Sequence, residues 1–150
     1  MKQENHIKLY TIGFTKKNAE IFFGLLINNK VKRVIDIRLN NTSQLAGFAK
    51  ADDLRYFLKA AAGIEYIYLP EFAPTDELMS DYKNKKTDRK DFAKSYTALI
   101  ASRKVDKLDK NIFNDACLLC SEHKPDECHR SLAAEFLQKK WGNLEITHLF

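Results

Sequence analysis

Ala116-Cys117-Leu118-Leu119-Cys120-Ser121, running on into Glu122-His123-Lys124-Pro125-Asp126-Glu127-Cys128-His129-Arg130, is the stretch that decides the fold. Its first six residues are almost wholly apolar, as expected of a central strand covered on both faces. Pro125 followed by Asp126 and Glu127 is a helix-start signature, because proline suits the first turn and acids complement the positive end of the helix dipole. A helix is therefore expected from about Pro125 to Trp141, with Cys128 in or just after its first turn. A buried strand that feeds a helix is the repeating unit of a parallel sheet.

The same alternation extends in both directions. Ile7 to Ile12 reads as a strand ending at Gly13, where a strand-to-helix turn forms without steric penalty. Asn18 is the expected cap of a helix whose apolar stripe is Ile21, Phe22, Leu25 and Leu26. Val31 to Ile37 is a strand rich in β-branched residues, and a polar loop from Arg38 to Lys50 follows it. A second helix begins near Asp52 and Asp53, with Leu54, Phe57, Leu58 and Ala61 on its buried side and Gly63 past its end. Ile64 to Leu69 is a third strand, ended by Pro70.

Glu71 to Lys90 is the least regular part and holds a charge run, Lys83, Lys85, Lys86, Arg89 and Lys90, of the kind that usually forms a solvated face. Phe92, Tyr96, Leu99 and Ile100 mark another helix, Val105 to Phe113 a short helical piece, and Leu144 to Leu149 a closing strand. With no linker or repeat, residues 1–150 are expected to form a single α/β domain. Its sheet should be mostly parallel, of about five strands, with helices on both faces.

Composition narrows the function classes. The 150 residues carry a formal charge of +5, which favours anionic partners but is modest for the length. The apolar fraction is that of an ordinary globular protein, so folding needs neither disulfide nor metal support. Three cysteines cannot all pair within one chain; reduced thiols and a cytoplasmic location are expected. The longest apolar run, Ile21 to Ile27, is too short to span a membrane.

In sheets of this kind ligands bind beyond the carboxyl ends of the strands, and several reactive residues fall there. Gly13 and Thr15, near a helix start, suit an anion. Asp36 and Arg38, two apart on a strand, face the same way. They are either a structural pair or part of a site, since an acid deep in an apolar strand is costly unless paired or functional. Cys128 near a helix N-terminus, with Arg130 beside it, is a candidate nucleophile, although the same spacing puts it on the buried stripe with Leu132 and Phe136. Glu122 and Asp36 are candidate proton-handling carboxylates, and His129 titrates in the range suited to proton transfer. Cys117 and Cys120, three apart on a strand, point to opposite faces and so form no chelating pair. A site made of Cys120, Cys128 and a histidine stays open, but neither a metal nor a cofactor is expected.

Together, Thr11-Ile12-Gly13, Asp36-Ile37-Arg38, and Glu122 followed by Cys128-His129-Arg130 resemble the family catalogued as domain of unknown function 488. The resemblance runs from Leu9 to about His148. It implies a mostly parallel α/β fold with a shared polar cluster, and it supplies no substrate. Many members carry His-Ser directly after Thr-Ile-Gly, where this chain has Phe14 and Thr15: the hydroxyl survives and the imidazole does not.

The reading that follows is an enzyme with Cys128 as nucleophile. Arg38 and Arg130 would hold a phosphate-, sulfur- or nucleotide-bearing substrate, and Glu122, Asp36 or His129 would move protons. The alternative is a binding module without catalysis, in which Asn40, Asn41 and Gln44 recognise a base or ribose and the basic run supplies nonspecific attraction to nucleic acid. A third reading makes Asp36–Arg38 and Glu122–Arg130 internal pairs that fasten loops to the sheet.

Overall fold

The computed structural model describes residues 6–40, 47–122 and 128–150. Asn41, Gln44 and the Pro125 helix-start signature lie outside the described residues. In chain order the regular elements are β1 (Ile7–Gly13), α1 (Ala19–Asn28), β2 (Arg33–Asp36), α2 (Ala51–Ala62), β3 (Glu65–Tyr68), α3 (Asp76–Lys83), α4 (Arg89–Ser102), β4 (Ala116–Cys120), α5 (His129–Trp141) and β5 (Leu144–Leu149). Short 3₁₀ turns at Val105–Lys107 and Lys110–Phe113 occupy the helical piece expected there. The five strands form one sheet in the order β3-β2-β4-β1-β5, and every pair is parallel.

The order follows from one reversal of direction. From β1 the chain moves outward through β2 to β3, then returns to insert β4 between β2 and β1, and ends with β5 on the far side of β1. Parallel crossovers keep one hand, so connections running in opposite directions across a sheet lie on opposite faces. The apolar side chains divide accordingly. Ile12, Val34, Cys117 and Leu119 pack with Phe22, Leu26, Leu54 and Leu58 of α1 and α2. Leu9, Ile35, Ile37, Ala116 and Leu118 pack with Phe92, Tyr96 and Ile100 of α4 and with Ala133, Ala134 and Leu137 of α5. Neighbours on β4 thus serve different cores, and Cys117 is buried and free.

The helix boundaries have local causes. Asn18 caps α1 by accepting from the Ile21 N–H at 2.8 Å, and Gly63, left-handed at φ 65°, ends α2. Thr75 and Asp88 cap α3 and α4 in the same way, accepting from Leu78 and Asp91. Sequence periodicity misses α3, because none of its residues is fully buried. Two expected stripes are narrower than anticipated. Leu54 and Leu58 are buried on α2, but Phe57 is 42 % exposed and Ala61 is exposed as well. On α1, Phe22 and Leu26 face the sheet while Ile21 is 50 % exposed.

Parallel pairing brings the site together by setting Gly13 beside Cys120 and Asp36 beside Leu119. The carboxyl ends of β1, β2 and β4 are therefore level, and the residues that follow them open onto one edge.

Candidate cysteine site

At that edge Cys120, the last residue of β4, and Cys128 are joined as a disulfide with their Cα atoms 6.9 Å apart. This corrects the expectation of three reduced thiols: two are paired and only Cys117 is free. Cys128 is the extended N-cap of α5, which begins at His129, so the cysteine stands before the first turn. Both sulfurs lie on the α5 side of the sheet, whereas Cys117 points to the other core, where burial pushes its thiol pKa up.

His129 is buried beside the pair. Its Nε2 is 2.7 Å from the Ile37 carbonyl oxygen, which can only accept; Nε2 therefore carries the proton and Nδ1 presents a lone pair. Nδ1 stands 3.3 Å from the Cys120 sulfur and 3.8 Å from that of Cys128. Burial, joined by the charges of Arg130 and Arg89, lowers the imidazole to about 4 and outweighs the opposing effect of the Ile37 bond. The ring is neutral at pH 7. The Tyr96 ring meets it edge-on, fixing its plane.

A cavity of about 180 Å³ opens in front of the sulfurs, lined by Arg38, Leu39, Asn40, Met79, Tyr82, Lys83, Phe92, Cys120, Ser121, Glu122, Cys128 and His129. Arg38 and Asp36 form a buried bidentate pair, Nε to Oδ1 at 2.9 Å and Nη2 to Oδ2 at 2.8 Å. Tyr66 donates its hydroxyl to the same Oδ2 at 2.5 Å. Asp36 is thus fully engaged and stands behind the cavity, where it orients Arg38 rather than facing a substrate. Phe14 lies under the guanidinium at 5.5 Å and supports Arg38. Among the described residues, the buried Nη1 of Arg38 has no hydrogen-bond partner. A fixed cation with one spare donor therefore forms part of the cavity wall.

Glu122 lines the cavity, but its bond to Arg130 runs through its backbone carbonyl, which accepts from Nη1 of Arg130. Arg130, fully buried, also donates from Nε to the Thr11 hydroxyl at 3.3 Å. It points toward β1 and away from the cavity. Gly13 is there for close approach: a Cβ at this position would sit 1.6 Å from the Glu122 carbonyl oxygen. The half-buried Thr15 donates its backbone N–H to Ser121 at 3.1 Å. Of the residues expected at the site, Arg38, Asn40, Glu122, Cys128 and His129 come together on the cavity. Gly13, Thr15, Asp36 and Arg130 fasten the strand ends behind it.

Sequence reasoning missed the opposite wall. Tyr82 and Phe92, stacked at 4.3 Å between α3 and α4, line the cavity with Met79. Arg89, counted among a solvated charge run, in fact donates from Nη2 to the Cys128 carbonyl and to the Ser131 hydroxyl, both at 2.9 Å. Lys83, Lys85, Lys86 and Lys90 of that run are exposed. The aromatic spacing across Tyr82, Phe92 and Tyr96 was the available signal.

Cys120, Cys128 and His129 bring three soft donor atoms within 4.8 Å of one another. Sulfurs joined in a disulfide are not thiolates, and among the described residues the cluster supplies three donors, where a closed tetrahedral site takes four. The arrangement is a disulfide with an imidazole nitrogen against it.

Fold and site define a parallel α/β protein with a cysteine–histidine cluster at the carboxyl ends of its central strands. The chain belongs to the family described as domain of unknown function DUF488, whose model matches residues 18–137. No curated protein and no solved structure matches it. Among the described residues no helix is long and apolar enough to cross a membrane.

Proposed function

We propose that the chain is a thiol enzyme in which reduced Cys128 attacks an anionic substrate bearing sulfur or phosphorus, held against Arg38. One observation carries this reading: the N-cap cysteine of α5, the Nδ1 lone pair of His129 and the partly unpaired guanidinium of Arg38 border one cavity. A helix N-terminus stabilises a thiolate, and the Nδ1 lone pair of the neutral imidazole is placed to accept a hydrogen bond from the thiol. Glu122 at the rim is the carboxylate available for later proton transfer. A cytoplasmic location belongs to the same proposal; there, disulfides are mostly transient and catalytic.

The test is alkylation of the reduced chain with iodoacetate and with neutral iodoacetamide, mapped by mass spectrometry. Cys128 should react with a midpoint below the ordinary thiol value of about 8.5 and should favour the anionic reagent relative to free cysteine. A midpoint at or above that value, with no such preference, removes the nucleophile.

The cavity lining supports a second reading, nucleotide binding without catalysis: Lys83 and Arg38 offer charge to a phosphate, and Met79 and Tyr82 offer apolar surface to a base or ribose. In its nucleic-acid form the exposed lysines would make affinity fall steeply with salt. Oligonucleotide binding with no salt dependence would eliminate that form.

A further inference from the structure

We infer that Cys128 and Cys120 act as an attacking and a resolving cysteine, and that the substrate is a small organic disulfide carrying an anionic group. This rests on the nucleophile reading above and specifies its substrate and product.

The two cysteines have unequal surroundings that suit different steps. Cys128 caps a helix of 13 residues, and its carbonyl is held by Arg89. In the disulfide its side chain makes no cap hydrogen bond; as a thiolate it would stand at the positive end of the α5 dipole. Cys120 ends a strand, and among the described residues no helix begins at it. It has the nearer approach of His129 Nδ1, 3.3 Å against 3.8 Å. The helix favours the first sulfur as thiolate, and the Nδ1 lone pair orients the S–H of the second. The sulfurs already lie within bonding reach, so resolution requires no rearrangement of strand or helix.

The cavity selects the substrate class. Met79, Tyr82 and Phe92 give it a carbon-rich wall suited to an organic substituent, and Arg38 supplies the cation for a carboxylate or phosphate. A peroxide would use neither. A disulfide that served only to fasten the loop would have no reason to border an open cavity with a base directed at it.

The reaction balances as follows. The Cys128 thiolate attacks one sulfur of R–S–S–R, whose S–S bond breaks as a Cys128–S–R bond forms. The first RS⁻ leaves and takes up the proton lost from Cys128. The Cys120 thiol, its S–H oriented by His129 Nδ1, then attacks the Cys128 sulfur and expels the second RS⁻, which takes up the Cys120 proton to become RSH. One disulfide is reduced by two electrons to two thiols, and the protein is oxidised to the Cys120–Cys128 form. A dithiol reductant restores it by the reverse exchange.

The fully reduced chain mixed with oxidised glutathione should release two thiols per chain and close the Cys120–Cys128 bond. Acid quenching should capture a transient glutathione adduct on Cys128 in the unmodified protein, and Cys120→Ser should make that adduct permanent. Neutral hydroxyethyl disulfide should react about 10- to 100-fold more slowly, the loss expected from one charge-assisted hydrogen bond. Suppose Cys128 is alkylated as proposed but oxidised glutathione yields no adduct on either protein. The resolving pair is then wrong, while the nucleophile stands. An unreactive Cys128 removes both. Closure of the disulfide by hydrogen peroxide alone, or stoichiometric zinc on the reduced chain, overturns the substrate class.

Discussion

Replacing Gly13 by alanine puts a methyl group where a backbone carbonyl already sits. The added Cβ would lie 1.6 Å from the Glu122 oxygen, 2.6 Å from its carbonyl carbon and 2.8 Å from Nη1 of Arg130. Real Cβ contacts essentially never fall under 3.0 Å, so the end of β1 and the segment after β4 must separate by about 1.4 Å (3.0 − 1.6) or more. Overpacking of this kind costs about 1–3 kcal/mol. The same displacement weakens the bond from Arg130 to the Glu122 carbonyl, and a charge-assisted bond contributes about 1.5–3 kcal/mol. A total loss of about 2.5–6 kcal/mol is expected. Unfolding entropy scales with length, so for 150 residues each kcal/mol lowers Tm by about 3 °C, giving a drop of about 8–18 °C. Gly24 is the internal comparison. It lies within α1 with nothing inside 4 Å of its missing Cβ, so Gly24→Ala should raise stability by about 0.5–1 kcal/mol. Urea and thermal melts of the two variants provide the assay. A Gly13→Ala chain within about 0.5 kcal/mol of the parent would refute the close approach of β1 to Glu122, and with it the packing that positions Glu122 at the cavity.

Acid should destabilise the oxidised protein through His129. Between its unfolded value of 6.5 and its folded value of about 4, the unfolded imidazole holds a proton that the folded one does not, so stability falls as pH falls through that window. The loss attributable to this group is about 3 kcal/mol, and urea melts of His129→Asn across the same range should lack it; identical slopes would mean the ring is not buried neutral. Asp36→Ala leaves the Arg38 guanidinium buried and unpaired and should cost about 3–5 kcal/mol in the same melts. Pairing Asp36→Val with Arg38→Met should recover most of that stability while abolishing the iodoacetate preference of Cys128. Recovery of stability with the preference intact would show that Arg38 is structural only.

Strand-to-helix alternation was legible because it rests on side-chain periodicity, which reports burial directly. The apolar run Ala116–Cys120 had to be a central strand, and β5 was read to the residue. The gathering of Arg38, Glu122 and Cys128 at one edge also followed from the sequence, since a parallel sheet brings its carboxyl ends level. Tertiary structure alone decided which of those groups face the cavity. Local spacing cannot tell that Asp36 is taken up by Arg38 and Tyr66, that Arg130 turns toward Thr11, or that Cys128 meets Cys120 across the β4–α5 connection. Each of those outcomes depends on partners from other strands and helices. Periodicity records whether a side chain is buried; what it is buried against is fixed only when distant segments pack.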